Sequence, residues 1–468
     1  MKDVFSRLIV VIACTLFPMA VGTADDSLLQ GAGALAPVRN PTDSRSQVPA
    51  GFFPILPFNA SGAKEVMDPD LGRKGDLENI AACNFTMADF VRPADLPLCE
   101  TLGLPAFVTF QVSHAARTGK AWETLTDAEI EQGTRTLAEK TAGSKSVLGY
   151  YLADEPGVTE FPRLAKAVSA IRRYAPGKLA FINLFPNYAS LGVPGKSQTG
   201  AASYAEYLEQ FVSVVKPDLL CYDNYIVQAS LDMRDSPKAT LYYTNLLEVR
   251  RVALKYDLPF WTVVLSDQIR PDTTIPSPAN LMFQAYTSLA AGAKGIMWYT
   301  FFGLSYSYAP IDEAGHKTPT WPYLQMTNRH LRTIGPIMAG LKSTGVFFTW
   351  PAPAEGAPIL PGKLIRSIES QTPVMVGEFA GDGGTDYVMV VNLSLEKSAK
   401  LLIKTQRDYH RREVVSPEEG QPLPLDDEDD LVMDAEFKAK YAPKGLGLNY
   451  PDGLWLTPGQ GLLIRFAR

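Results

Sequence analysis

Residues 149–157 read Gly149-Tyr150-Tyr151-Leu152-Ala153-Asp154-Glu155-Pro156-Gly157, an apolar run that stops at two adjacent carboxylates and a chain-breaking Pro-Gly. Val147, Leu148, Tyr150, Tyr151 and Leu152 suit a strand buried on both faces, as in parallel sheets, and Pro156-Gly157 prevents its continuation as helix or strand. Neighbouring side chains of a strand take opposite faces. Alternation therefore predicts that one carboxylate faces a pocket while the other is held from behind. The competing reading makes the pair the start of a solvated loop, because a short motif needs its surroundings to carry meaning.

The flanking sequence supplies those surroundings. Strand-like apolar runs over residues 52–58, 85–91, 105–110, 147–152, 178–184, 218–223, 259–265 and 295–299 alternate with helical patterns over 77–82, 94–102, 127–141, 161–174, 204–215, 241–255 and 279–291, and a further helix ends near residue 341. Eight strands alternating with helices predict a (β/α)8 barrel over residues 49–341. The rival is a doubly wound open sheet, but no Gly-x-Gly-x-x-Gly follows the first strand. Past residue 341 the pattern changes to short alternating strands separated by Gly381-Asp382-Gly383-Gly384 and proline-rich pieces, which predicts a small antiparallel β-sandwich over 342–468. Its expected role is to brace the barrel, with a separate sugar-binding module as the alternative. The run Asp426-Asp427-Glu428-Asp429-Asp430 lacks the spacing and turn glycine of a calcium loop and reads as a solvated acidic loop.

At the N-terminus, Lys2 and Arg7 precede an apolar stretch over 8–17, and Gly22-Thr23-Ala24 follows it, the layout of a signal peptide over 1–24 cleaved near Ala24. Export, to the periplasm or beyond the cell, is the expectation. Val11-Ile12-Ala13-Cys14 offers a competing lipoprotein reading, weakened by the closeness of Arg7 and by apolar sequence continuing past the cysteine. Residues 25–48 have no sustained periodicity and read as a flexible tether. No other apolar run approaches the ~20 residues a membrane span needs. With 468 residues, 46% hydrophobic and 20% charged, the composition is globular, and a net charge of -6 without a basic stripe argues against nucleic acid as a partner.

Cys83, Cys99 and Cys221 remain after the predicted cleavage and allow at most one bridge, for which Cys83 and Cys99 are closest in sequence. His114, His316, His330 and His410 are scattered, so a metal centre or a Ser-His-Asp triad has little material, and no cofactor is expected.

In a barrel of this type the site lies at the C-terminal ends of the strands. Those ends carry Asn59, Asp89, Gln111, Ser113, Asp154, Glu155, Asn183, Asn187, Asp223, Asn224, Ser266, Asp267, Gln268, Trp298 and Tyr299. A rim of acids, amides and aromatics suits a neutral polyhydroxylated ligand better than a phosphorylated one: amides and carboxylates bond hydroxyls, and aromatic rings stack on apolar sugar faces. A carbohydrate is the expected partner, with Gln111, Asn183, Asn187, Tyr225, Asp267, Trp298 and Tyr299 as its contacts and Trp298 as its stacking platform. Cleaving a glycosidic bond takes one carboxylic acid to protonate the leaving oxygen and a second carboxylate to attack or to activate water. Glu155 is assigned as the acid and Asp154 as the neighbour that raises or orients it; a loop-capping contact is the plainer role for Asp154.

The stretch Leu148-Gly149-Tyr150-Tyr151-Leu152-Ala153-Asp154-Glu155-Pro156 resembles the fourth-strand motif of the clan A barrel glycoside hydrolases, whose Asn-Glu-Pro-like triplet carries the acid/base, with Asp154 here in place of Asn. Tyr222-Asp223-Asn224-Tyr225, Pro259-Phe260-Trp261, Phe283-Gln284-Ala285-Tyr286 and Gly292-Ala293-Lys294-Gly295-Ile296 look like later segments of exported bacterial family 42-like glycosidases. The resemblance, over roughly residues 49–303, implies a glycosidase fold more firmly than a substrate. It also implies a nucleophilic Glu ending the seventh strand, whereas Trp261-Thr262-Val263-Val264-Leu265-Ser266-Asp267 has none. Asp223 is the preferred second carboxylate and Asp267 the next. The missing Glu leaves two alternatives: a catalytically silent carbohydrate-binding barrel, or a substrate-assisted enzyme of the N-acetylhexosaminidase type, in which the acetamide of the substrate replaces the nucleophile.

Overall fold

The computed structural model describes residues 45–46, 48–58, 74–109, 122–190, 197–229, 233, 237–303, 306–425 and 454–467. The predicted signal peptide, most of the tether, Asn59, Gln111, Ser113 and the acidic run 426–430 lie outside them. Helices and parallel strands alternate as β1 (Ile55–Pro57), α1 (Lys74–Ala82), β2 (Phe90–Val91), α2 (Leu96–Leu102), β3 (Ala106–Thr109), α3 (Asp127–Thr141), β4 (Val147–Asp154) and α4 (Phe161–Tyr174). They continue as β5 (Leu179–Asn183), α5 (Tyr204–Val215), β6 (Leu220–Asp223), α6 (Pro237–Lys255), β7 (Phe260–Leu265), α7 (Pro278–Ala291), β8 (Ile296–Tyr299) and α8 (Thr320–Gly340). The ladders run in two parallel sheets, β2-β3-β4-β5 and β1-β8-β7-β6. Both seams between them are stitched. Leu184 N donates to Cys221 O at 2.9 Å on one side, and Thr86 N to Ile55 O at 2.9 Å on the other. The result is a closed (β/α)8 barrel.

Local chemistry explains several boundaries. Thr126 accepts from Glu129 N at the start of α3 while the Glu129 carboxylate returns a bond to Thr126 N, a reciprocal cap that satisfies two orphan donors. Ser277 and Asn280 do the same for α7, with Pro278 in its first position. The tether is anchored at its end: Ser46 N donates to Asp218 Oδ1, which also takes Arg172 Nη2 at 2.8 Å.

The barrel is plugged by aromatics. Phe58, Phe90, Phe107, Tyr151, Phe181 and Trp261 touch across it, with Phe90 stacked on Tyr151 at 3.9 Å and Phe107 on Phe181 at 4.8 Å. Side chains this large need close backbone approach elsewhere. A Cβ on Gly149 would lie 2.3 Å from Leu179 O and 2.8 Å from Leu179 Cβ. Gly149→Ala is therefore expected to destabilise the fold by about 2–3 kcal/mol, because both contacts belong to paired strands that cannot yield. Denaturant unfolding checks this, and a change under ~0.5 kcal/mol would show that β4 and β5 separate freely.

The C-terminal part is a β-sandwich. One sheet has the order β15-β14-β17-β12-β11-β9, the other β10-β13-β16, with β9 (Lys342–Phe348), β10 (Ile365–Glu369), β11 (Val374–Ala380), β12 (Asp386–Asn392), β13 (Ala399–Thr405), β14 (Arg411–Val415), β15 (Pro422–Leu425), β16 (Leu454–Leu456) and β17 (Gly461–Ala467). Alternation divides the larger sheet cleanly. Val374, Val376, Val388 and Val390 fill the sandwich core, whereas Met375, Met389, Val391 and Leu463 join the barrel core. Helix α7 lies between barrel and sandwich and is buried from Asn280 through Ala291. The cysteine pairing allowed by the sequence is not made: Cys83 and Cys99 are buried thiols, as is Cys221.

Candidate active site

The acids converge at the C-terminal mouth of the barrel by a route that simple alternation does not foresee. Tyr151 pairs with Phe181, Ala153 with Ile182 and Asp154 with Asn183, so Leu152 is an extra residue on β4. This bulge inverts the parity of everything after it. Tyr151 points into the barrel, and without the bulge Ala153 and Glu155 would follow it there. With the bulge, Asp154 does. Glu155 then takes φ 47°, a left-handed conformation costly for a residue with a Cβ, while its N–H donates to Asn183 O at 2.9 Å. The expectation of one carboxylate in the pocket and one behind it is corrected: both take part in one cluster with Asp223.

Asp154 Oδ1 accepts from Asn183 Nδ2 at 3.0 Å. Glu155 lies beside Asp223, near enough for each to perturb the other's proton, and Tyr225 is close to Asp223, whose Oδ1 has no hydrogen-bond partner. Cys221, two residues before Asp223, lies against Met297 below the acids at 3.9 Å between sulfurs. Burial pushes the Glu155 carboxyl well above the usual range, and the neighbouring Asp223 and Asp154 push it the same way. Asp223 is raised by burial and then by Asp154, opposed by the nearby Glu155 and Tyr225. Crowding by its neighbours raises the Asp154 carboxyl, and the water that reaches this exposed residue moderates the rise. Two carboxyl groups side by side cannot both ionise cheaply. Their closeness thus favours retention of one proton on the pair.

Asp267 lies just past β7, almost wholly buried, with Oδ2 accepting from Thr300 N at 3.2 Å and Thr300 Oγ1 at 2.6 Å. Its Oδ1 has no partner, and burial lifts its pKa to about 7. A carboxyl whose folded pKa is raised gives stability below its ordinary value that is lost as pH climbs to the folded value. The Asp267 contribution should therefore fade between its ordinary 3.8 and about 7. Asp267→Asn is expected to flatten the fall of unfolding free energy over this interval, and an unchanged slope would remove Asp267 as its source.

Tyr225 and Tyr299 make an aromatic wall, stacked at 5.1 Å. Tyr306, from the long loop after β8, extends it through a bond from Tyr299 Oη at 3.3 Å. Trp298 is corrected. Met297 and Tyr299 face inward on β8, so Trp298 faces outward, wholly buried, with Nε1 donating to Asn328 Oδ1 of α8 at 2.9 Å. It packs the barrel wall and does not reach the mouth. Asn187 is also occupied elsewhere, its Nδ2 donating to Leu241 O and Thr244 Oγ1 of α6. Asn183 stays in the acid cluster. Thr300, which grips Asp267, and Tyr188, whose hydroxyl accepts from Tyr225 N at 3.2 Å, are supporting residues with no sequence signal beyond lying in strand-end loops. Among the described residues no group of three or more His, Cys, Asp and Glu side chains is arranged to hold a metal ion, and no helix is long and apolar enough to cross a membrane.

No family model matches this chain, and no curated protein matches it. Solved structures share its fold. A GH42 β-galactosidase from G. stearothermophilus aligns with a TM-score of 0.55 at 9% identity, covering 90% of this chain and 99% of the other. A structure described as a glycoside hydrolase aligns with a TM-score of 0.52 at 10% identity, covering 89% and 92%. A β-galactosidase from the psychrophilic Marinomonas ef1 aligns with a TM-score of 0.45 at 7% identity, and this chain spans 62% of its length and 62% of its own. The first two likenesses are of fold: a glycoside-hydrolase-type barrel followed by antiparallel sheets.

Proposed function

We propose that this protein is an exported glycoside hydrolase that cleaves O-glycosidic bonds of an oligo- or polysaccharide, with Glu155 as proton donor. The observation that carries the reading is the close pair Glu155–Asp223 at the mouth of a closed barrel. Burial and the adjacent carboxyl keep a proton on the pair near neutral pH, which protonation of a glycosidic oxygen requires. Water-accessible Asp154, set by Asn183, raises the proton affinity of Glu155 and can orient a sugar hydroxyl. The Tyr225–Tyr299 wall offers an apolar face for a sugar ring.

The closeness of the same pair favours a second reading. Opposed carboxylates stand ~5–5.5 Å apart in retaining enzymes and ~6.5–9.5 Å apart in inverting ones, with substrate or water between them, whereas Glu155 and Asp223 sit side by side. Asp223 is then a partner of the acid, and the nucleophile is Asp267 or an acetamide group of the substrate. The test is hydrolysis of paired aryl glycosides bearing a 2-hydroxyl or a 2-acetamido group, alongside natural oligosaccharides. Cleavage of the 2-hydroxyl series supports an enzyme carboxylate, and cleavage of the acetamido series alone supports substrate assistance. Sugar binding without cleavage of either would leave a carbohydrate-binding barrel.

A further inference from the structure

Trp350 is 80% exposed, more than any other large apolar side chain among the described residues. It follows β9 on a loop that is well fixed. Thr349 N donates to Val374 O at 3.0 Å, Phe348 N to Pro358 O at 2.8 Å and Leu360 N to Phe348 O at 2.9 Å, while Thr349 Oγ1 accepts from Val374 N at 2.8 Å. Pro351, Pro353, Pro358 and Pro361 restrict the backbone further. The backbone that carries the indole is thus fixed, so only the side chain is left to order on binding.

Its place in the fold identifies the partner. The first turns of α6 are bound to the barrel mouth, where Asn245 Oδ1 accepts from Asn187 N at 3.1 Å and from Asn224 Nδ2 at 3.0 Å. The same turns hold the Trp350 loop. Tyr243 meets Phe348 edge to face at 5.7 Å, and Thr240 Oγ1 donates to Pro353 O at 3.4 Å. Trp350 therefore stands at the same end of the barrel as Glu155 and Asp223. Helix α6 and the barrel wall lie between it and the acids, so a ligand that touches both extends past a single sugar ring.

We infer that Trp350 is a stacking platform for a distal unit of an oligo- or polysaccharide whose scissile bond lies at Glu155, an inference that rests on the glycoside-hydrolase reading of the mouth. Tryptophan offers a flat apolar face with an N–H at its edge, which suits a sugar ring. Glu355, exposed in the same loop, supplies an acceptor for hydroxyls.

The test is affinity electrophoresis of the full chain in gels containing soluble galactan, mannan, xylan or β-glucan, comparing wild type with Trp350→Ala, Trp350→Phe and Trp455→Ala. Trp350→Ala should lose about tenfold in retention on the polysaccharide that retards wild type, Trp350→Phe should keep most of it, and Trp455→Ala should behave as wild type. Where hydrolysis is measurable, the KM penalty of Trp350→Ala should grow with chain length, from under twofold on aryl monosaccharides to about tenfold on polysaccharide. Loss of retention in a chain that hydrolyses nothing would keep the platform and remove the enzymatic reading. Glu155-dependent hydrolysis with equal retention of wild type and Trp350→Ala would overturn the platform and keep the enzyme. Failure of all four polysaccharides to retard wild type, or a Trp350→Ala effect confined to oligomeric state, would also overturn it.

Discussion

Glu155→Gln is expected to lower turnover of glycosides with poor leaving groups by about 10³–10⁴-fold, near the upper end of what a positioned general acid contributes. The loss should shrink steeply on dinitrophenyl glycosides, whose leaving group departs without a proton. Glutamine matches the shape of the acid and removes a buried carboxyl, so the variant should fold as well as wild type, and unfolding measurements control for this. The dependence on leaving group separates an acid from a residue that merely binds substrate, because lost binding would penalise all substrates alike. Full activity on unactivated glycosides would remove Glu155 from the chemistry.

Asp223→Asn is the second large effect, about a hundredfold loss in kcat/KM at neutral pH together with a changed pH profile. The acid works only while protonated, so activity falls as pH rises through the pKa of Glu155. Burial is the largest cause of that raised pKa and Asp223 the next. Replacing Asp223 by an amide removes a like charge from beside Glu155, and the proton on Glu155 is then held less tightly. The alkaline limb should move to lower pH by about one unit or more. If Asp223 were instead the nucleophile, the loss would be deeper and would persist for every leaving group, while the alkaline limb would still move, because the like charge is removed in either case. The acetamido and hydroxyl series then show which nucleophile serves the reaction.

Much of this architecture was legible along the chain. The strand of residues 259–265 is β7 less its proline, and the helices predicted over 127–141, 161–174 and 204–215 have the observed bounds. These elements are set locally, by apolar periodicity, side-chain caps and chain breakers, so contiguous sequence contains their cause. In the sandwich the legibility drops. Strands β10, β14, β15 and β16 are short and take their place from partners distant in sequence, such as β14 beside β17.

The sequence by itself determined the barrel's strand count, the order of its strands and helices, the end of the barrel that carries the acids, and the identity of Asp154, Glu155 and Asp223 as carboxylates there. Only the tertiary structure decided which way those side chains point. The bulge at Leu152 exists because β4 pairs with β5 in a shifted register, and the left-handed turn at Glu155 is held by a bond to Asn183 O. The outward face of Trp298 is fixed by Asn328, 30 residues away. Alternation read along one strand assumes an unbroken ladder, and whether the ladder is unbroken depends on the neighbouring strand.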